Sequence, residues 1–214
     1  MTIKETAIQI GICSDLSDLA PCLMYYLTGC PRKYRVLFIF LCSISALKIL
    51  TILTALLGIN NMPIYHVLSF TELVFMFLFY MDLLDKKHSN IMRATLWALI
   101  VFNLVDTLVI GGIYSFNSIS WSLNTSALIV LGMAYFYHLY EETSEIIIER
   151  HTDFYINSAF LIYASGSLFT YLLAWKILSQ PAQSFFHSGW IVHSLSNLTK
   201  SMMITYGLWL LYRD

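Results

Sequence analysis

The sequence predicts an all-α polytopic membrane protein: one bundle of seven transmembrane helices, with the N-terminus outside and the C-terminus cytoplasmic. Three observations carry this. Of 214 residues, 58% are apolar and only 12% charged, with a mean hydropathy of +0.68, which is not the make-up of a soluble globule. Apolar runs of span length recur along the whole chain, each needing about 20 residues to cross a bilayer. Finally, arginine and lysine gather in alternate loops, as cytoplasmic loops do.

The predicted spans are 7–28, 34–57, 62–84, 92–114, 118–140, 152–176 and 187–211. Turn chemistry separates them. Gly29-Cys30-Pro31 closes the first, Gly58-Ile59-Asn60-Asn61 the second and the polar run Asp85 to Asn90 the third. A turn over Ser115 to Ser118 follows the fourth, the Glu141 to His151 run the fifth and Ser179-Gln180-Pro181 the sixth. In the first span Asp15 and Asp18 lie near the helix centre, where each costs about 2.5–3.5 kcal/mol to insert, and Pro21 introduces a kink. If that segment re-enters instead of crossing, six spans remain and the N-terminus is cytoplasmic.

Eight cations, Arg32, Lys33, Arg35, Lys86, Lys87, Arg93, Arg150 and Arg213, fall on one side, with Lys4 in the opposite tail and Lys176 at the outer end of the sixth span. The start lacks the uninterrupted apolar core of a cleaved signal peptide, so the N-terminus is expected to be retained. Cys13, Cys22, Cys30 and Cys42 have no metal-ligand spacing and read as small apolar fillers. The formal charge of −1 and pI near 6.6 give no pull toward nucleic acid.

Charges at membrane depth normally face the bundle interior and mark function. Six occur: Asp15, Asp18, Lys48, Glu72, Asp106 and Lys200, four acids against two bases. Helical spacing aligns His193, Asn197 and Lys200 on the seventh span, and Tyr65, Ser69 and Glu72 on the third with His66 beside them. Asn103, Asp106 and Thr107 cluster on the fourth, Ser14 and Asp18 on the first. These residues predict a polar cleft in the outer half, lined by His66, Glu72, Asp106, His193, Asn197 and Lys200. In a purely structural alternative, Glu72 pairs with Lys200 and a first-span aspartate with Lys48, fixing helix register only.

Tyr135, Tyr137, His138, Tyr140, Trp209 and Tyr212 are expected at the inner interface, and Trp121, Trp175 and Trp190 in an outer aromatic belt. Glu141, Glu142, Glu145 and Glu149 read as a solvated helix extension. Gly111-Gly112 and Gly166 suit close backbone approach. No hydrolase, kinase, phosphate-loop or metal-site signature is present, so no catalytic residue, metal or cofactor is expected. Nor is an inverted repeat of the transporter kind visible.

Several runs carry a resemblance: Ser17-Asp18-Leu19-Ala20-Pro21; Gly58-Ile59-Asn60-Asn61 through Tyr65-His66 to Phe70-Thr71-Glu72; Asp153-Phe154-Tyr155-Ile156-Asn157-Ser158 with Leu161-Ile162-Tyr163; and Trp190-Ile191-Val192-His193-Ser194 with Asn197-Leu198-Thr199-Lys200. In these the chain resembles a family of small seven-span membrane proteins of Bacteroidota, largely uncharacterised and often encoded beside sensor histidine kinases. Tyr155 stands where that pattern has tryptophan. The resemblance implies a sensing or signalling partner by association. The layout also resembles microbial rhodopsins, which would make Lys200 a Schiff-base lysine for retinal and Glu72 its counter-ion. Ser196, where such proteins carry aspartate, and the extra Lys48 depart from that scheme.

The functional expectation is a non-catalytic sensor or receptor subunit in the bacterial inner (plasma) membrane, acting through a partner such as a membrane histidine kinase. Transport or conduction, with Asp15, Asp18 and Glu72 as a cation or proton site, is the second expectation. A homo-oligomer stays open.

Overall fold

The structure, a computed structural model, describes residues 3–29, 31–84, 88–142, 151–178 and 183–213, without the side chains of Ile3, Glu142, 175–178 and 183–188. Lys86, Lys87, Cys30, Glu145, Glu149, Arg150 and the Ser179-Gln180-Pro181 break therefore lie outside it, as do the side chains of Trp175 and Lys176. The described residues form helices and connecting turns with no strand: α1 (Ile3–Ser17), α2 (Leu19–Thr28), α3 (Arg35–Leu56), α4 (Met62–Leu83), α5 (Ser89–Val105), α6 (Ser118–Glu142), α7 (Thr152–Leu178) and α8 (Gln183–Arg213). Five stretches among them, Arg32–Leu56, Met62–Leu83, Ser89–Ile110, Ser118–Glu141 and Thr152–Ala174, are long and apolar enough to cross a membrane. The chain is a multi-pass membrane protein.

The surface supports this. Large apolar side chains such as Leu56 (75% exposed), Leu108 (73%), Val109 (77%) and Met202 (71%) cover the outside, while Ser14, Asp18, Asn157, Asn197 and Lys200 are buried. A soluble monomer does not expose apolar surface on that scale.

The first predicted span is two helices, α1 and α2, parted at Asp18, whose backbone stays in the right-handed helical region (φ −65°, ψ −12°); this is the local disruption expected of Pro21. The break sits where proline acts: its ring crowds the carbonyl four residues earlier, that of Ser17, and it has no N–H to donate there. Gly29 ends α2 in the left-handed conformation (φ 58°), its N–H reaching the Tyr25 carbonyl, as a glycine C-cap does. Extended Pro31 (φ −58°, ψ 152°) leads into a 3-10 turn, Arg32–Tyr34, that starts α3. Proline in the first turn of α4 lacks only an N–H that would have no helical partner there.

α5 runs on as a π-helical turn, Asp106–Ile110, so the fourth predicted span ends four residues early. Gly112 (φ 77°) supplies the left-handed turn that closes it, and a Cβ there would meet nothing within 4 Å. The Gly111-Gly112 pair thus serves a turn and not helix packing. Gly166 does mark a close approach: a Cβ on it would fall 1.9 Å from Ser196 Oγ on α8.

Packing closes a ring. α7 lies most extensively against α8 and α6, α8 against α1 and α2, α1 and α2 against α3, α3 against α4, and α4 against α6. α5 sits outside, on α4 and α6, with only 17% of its most apolar stretch buried. Polar contacts tie the ring together. Tyr80 OH donates to Asn157 Oδ1 (2.6 Å) and Asn157 Nδ2 to the Gly132 carbonyl (3.0 Å), joining α4, α7 and α6. Lys33 and Tyr34 both donate to Asp153 at the start of α7.

Several aromatic and cysteine expectations change. Tyr137, Tyr140 and Tyr212 are exposed as an interfacial belt requires, but Tyr135 is buried beside Tyr80. Tyr155, in the first turn of α7, packs edge-on against Tyr206 of α8. Cys13 and Cys42 are exposed on the apolar exterior and do not fill the core; Cys22 lies between α2 and α3 with its sulfur 3.8 Å from that of Cys42.

Candidate functional site

The break at Asp18 places a carboxylate at the centre of the ring, fully buried. Its Oδ2 lies 2.6 Å from Lys48 Nζ of α3, and its Oδ1 lies 3.2 Å from Lys200 Nζ of α8 and accepts from Ser201 Oγ at 2.6 Å. One carboxylate thus bridges two ammonium groups. Lys48 also meets Asp15 (3.3 Å) and donates to Asn197 Oδ1 (3.2 Å). Asn197 Nδ2 in turn donates to the Ser14 carbonyl and to Ser14 Oγ, both at 2.9 Å. Hydrogen bonds of this kind offset the desolvation of buried charges.

Glu72 is not in this pairing. Its carboxylate accepts from Tyr163 OH (3.3 Å), and no ion pair to it is found among the described residues. Lys200 pairs with Asp18 instead and lies over the Tyr163 ring, 4.6 Å from its centroid. The expected Glu72–Lys200 pair is therefore replaced by Asp18–Lys200, because the break in the first span brings Asp18 between the two lysines. Lys48 does pair with first-span aspartates, as expected.

Asp15, Lys48, Glu72 and Lys200 line a small cavity of about 40 Å³, room for roughly three water molecules. A packed aromatic cluster also lines it, with Phe116 in its middle: the Phe116 ring centroid lies 6.2 Å from those of Tyr65 and Tyr171, 6.3 Å from that of Trp190 and 6.5 Å from that of Trp121. Round its edge the centroids run Tyr65 to Trp190 (6.4 Å), Trp190 to His193 (5.2 Å), His193 to Tyr171 (5.3 Å) and Tyr171 to Trp121 (4.8 Å). Trp121 and Trp190 thus belong to the interior and not to an outer belt. His193 Nδ1 lies 2.8 Å from Ser167 Oγ and 3.3 Å from Tyr171 OH.

The cavity leads sideways into a groove of about 440 Å³ between α1 and α3, walled by Ile8, Ile12, Ile52 and Leu56. Gly11, Asp15, Thr51, Tyr65 and Trp190 line both spaces. Asp15 therefore stands at the junction between the charged centre and an apolar opening.

Of the nine candidates, Asp15, Asp18, Lys48, Glu72, His193, Asn197 and Lys200 come together here. His66 and Asp106 do not line the cavity. His66 Nε2 meets the Ser115 carbonyl (3.0 Å) and Nδ1 meets Thr107 Oγ1 (2.8 Å); a carbonyl only accepts, so in the neutral ring Nε2 carries the proton and Nδ1 accepts from the threonine. Asp106 Oδ2 accepts from Ser120 N (3.1 Å) and Ser120 Oγ (2.5 Å), capping the start of α6. Asn103 and Ser69 turn to Asn124 of α6, whose Nδ2 donates to Ser69 Oγ at 3.0 Å and to Asn103 Oδ1 at 3.1 Å. With Asp106 removed, the central cluster holds three acids and two bases.

Sequence reasoning missed Ser201, Tyr163, Tyr171 and the interior role of Phe116, Trp121 and Trp190. The only signal was that Tyr163 and Trp190 lie in the runs quoted for the resemblance. A retinal on Lys200 does not fit this arrangement: the amine is held by Asp18 and Tyr163, and the space beside it is that of a few waters.

Set against known proteins, the chain matches no family model, no curated protein and no solved structure.

Proposed function

We propose that this protein is a non-catalytic membrane receptor or sensing subunit with seven spans, the broken α1–α2 pair serving as the first and α8 as the seventh. Its N-terminus is outside and its C-terminus cytoplasmic, in the bacterial inner membrane. Arg32, Lys33, Arg35, Arg93 and Arg213 favour that orientation. On this topology the aromatic cluster faces the outer half. The observation that carries the reading is the cavity itself: ionisable groups from α1, α3, α4 and α8 converge on it beside a packed aromatic cluster. A ligand there changes contacts on several helices at once, and helix packing shifts only by as much as the ligand favours one arrangement. The shift is read on the cytoplasmic face by a partner such as a membrane histidine kinase.

Mild-detergent purification from the native membrane is expected to bring down a stoichiometric signalling partner, and Glu72→Gln and Lys200→Met to alter its output. A partner whose output both variants leave unchanged would remove these residues as the switch.

The meeting of Asp15, Asp18 and Glu72 with two lysines inside the bundle favours a second reading, since acids at membrane depth mark ion and proton sites. Proteoliposomes that move protons, Na⁺ or K⁺ in a Glu72-dependent way would establish it, and absence of flux for all three would retire it.

A further inference from the structure

Asp15 keeps one oxygen unused. Its Oδ1 faces Lys48 at 3.3 Å, whereas Oδ2 takes part in no hydrogen bond or ion pair among the described residues, and the side chain is 27% exposed. Tyr65, which with Asp15 lines both the cavity and the groove between α1 and α3, makes no hydrogen bond through its hydroxyl among the described residues. An acceptor and a hydroxyl thus stand unpartnered at the inner end of that groove.

The rest of the groove is apolar. Ala7, Gly11 and Ala55 leave it room, and Ile12, Ile52 and Leu56 wall it. Ile8 and Leu56, 51% and 75% exposed, stand at its open flank, which on the proposed topology meets hydrocarbon. A polar group turned to hydrocarbon without a partner is costly, and the bilayer core holds no water to supply one. The volume of about 440 Å³ falls within the roughly 300–1,000 Å³ of small-molecule sites.

Charge selects the head of the occupant. Asp15, Asp18 and Glu72 outnumber Lys48 and Lys200 at the centre, so an anionic head is repelled. A cationic head entering from hydrocarbon bears a desolvation cost, and Asp15 already has Lys48 beside it. A hydroxyl avoids both, since it donates to Asp15 Oδ2 and accepts from the tyrosine.

We infer that the groove between α1 and α3 binds a long-chain, lipid-soluble alcohol from the bilayer, its hydroxyl on Asp15 and Tyr65 and its chain along Ile12 and Ile52. This names a ligand class for the receptor reading and rests on that reading only for its consequence, since occupancy is a property of the purified chain.

The test is photolabelling of the full chain in lipid nanodiscs by a hexadecanol carrying a mid-chain diazirine, with the labelled residues mapped by mass spectrometry. Labelling is expected to saturate and to concentrate on α1 and α3 at the groove. Unlabelled 1-hexadecanol should compete at least fivefold more effectively than 1-methoxyhexadecane, which has no donor, or hexadecanoate, which is anionic. Ile12→Trp fills the groove at a residue that does not line the cavity and should cut labelling at least fivefold. Asp15→Leu should abolish the preference for alcohol over ether. Labelling spread over lipid-facing helices such as α5, equal competition by the ether, or stronger competition by hexadecanoate would overturn the assignment. The competitor comparison uses the unaltered protein, so a variant that fails to fold does not blunt it. If the alcohol binds as expected while partner output ignores it, the receptor reading fails and the ligand assignment stands. If Glu72→Gln alters output but labelling ignores the head group, the ligand assignment is wrong and the receptor reading stands.

Discussion

Asp18 and Lys48 meet at 2.6 Å inside the helix bundle, at the point where the first helix breaks. Asp18 also holds Lys200, so removing its charge takes the paired carboxylate from Lys200 and leaves Lys48 with Asp15 alone. Asp18→Asn is expected to destabilise the protein by about 3–5 kcal/mol, the range for breaking a buried ion pair from one side. Lys48→Met combined with it should recover part of the loss. Thermal unfolding in detergent, followed by the monodisperse fraction, measures both.

Glu72 should behave differently, although it lies in the same cavity. Its carboxylate has a tyrosine donor and no direct ion pair among the described residues, and Gln keeps an acceptor for that donor. Glu72→Gln is expected to change stability by less than about 1 kcal/mol, near the net value of one hydrogen bond. A loss as large as that of Asp18→Asn would show that Glu72 belongs to the structural network.

Gly166 and Gly189 separate close approach from mere helical glycine. A Cβ on Gly166 meets Ser196 Cβ at 2.8 Å, whereas one on Gly189 meets Thr170 Oγ1 at an ordinary 3.6 Å. Gly166→Ala is expected to cost about 1–3 kcal/mol through overpacking of α7 on α8. Gly189→Ala should be neutral or stabilising by up to about 1 kcal/mol, because alanine favours helix. The same unfolding assay compares them.

Asp106 serves α6 as a cap supplied from the preceding helix, through Ser120 N and Oγ. Asp106→Ala should cost about 1–2 kcal/mol, as loss of a good N-cap does, and leave the output of the signalling partner unchanged once folded. A change in that output would place Asp106 in the site after all.

The proposed orientation is testable in a background with all four cysteines changed to serine. Tyr114→Cys, exposed in the turn after the π-helical segment, is expected to label with a membrane-impermeant maleimide in intact cells. Tyr212→Cys, exposed near the C-terminus, should label only after permeabilisation. The reverse pattern would invert the topology.

Composition and apolar run length by themselves determined a helical multi-pass membrane protein, because hydrocarbon admits only segments that satisfy their own backbone. They also placed most helix limits to within a few residues, since Gly58, Pro63 and the Gly111-Gly112 turn act locally. Helical spacing likewise put His193, Asn197 and Lys200 on one face. Which charge meets which was settled only by tertiary structure. The helix parts at Asp18, a turn before Pro21, and Asp18 there meets both Lys48 and Lys200, whereas Glu72 has no direct ion pair among the described residues. Trp121 and Trp190 read as interfacial because they lie near helix ends. Only the closing of the ring from α8 round to α6 and α7 shows that those ends face inward and pack around Phe116, for inward and outward faces of a membrane helix are both apolar and sequence alone does not tell them apart.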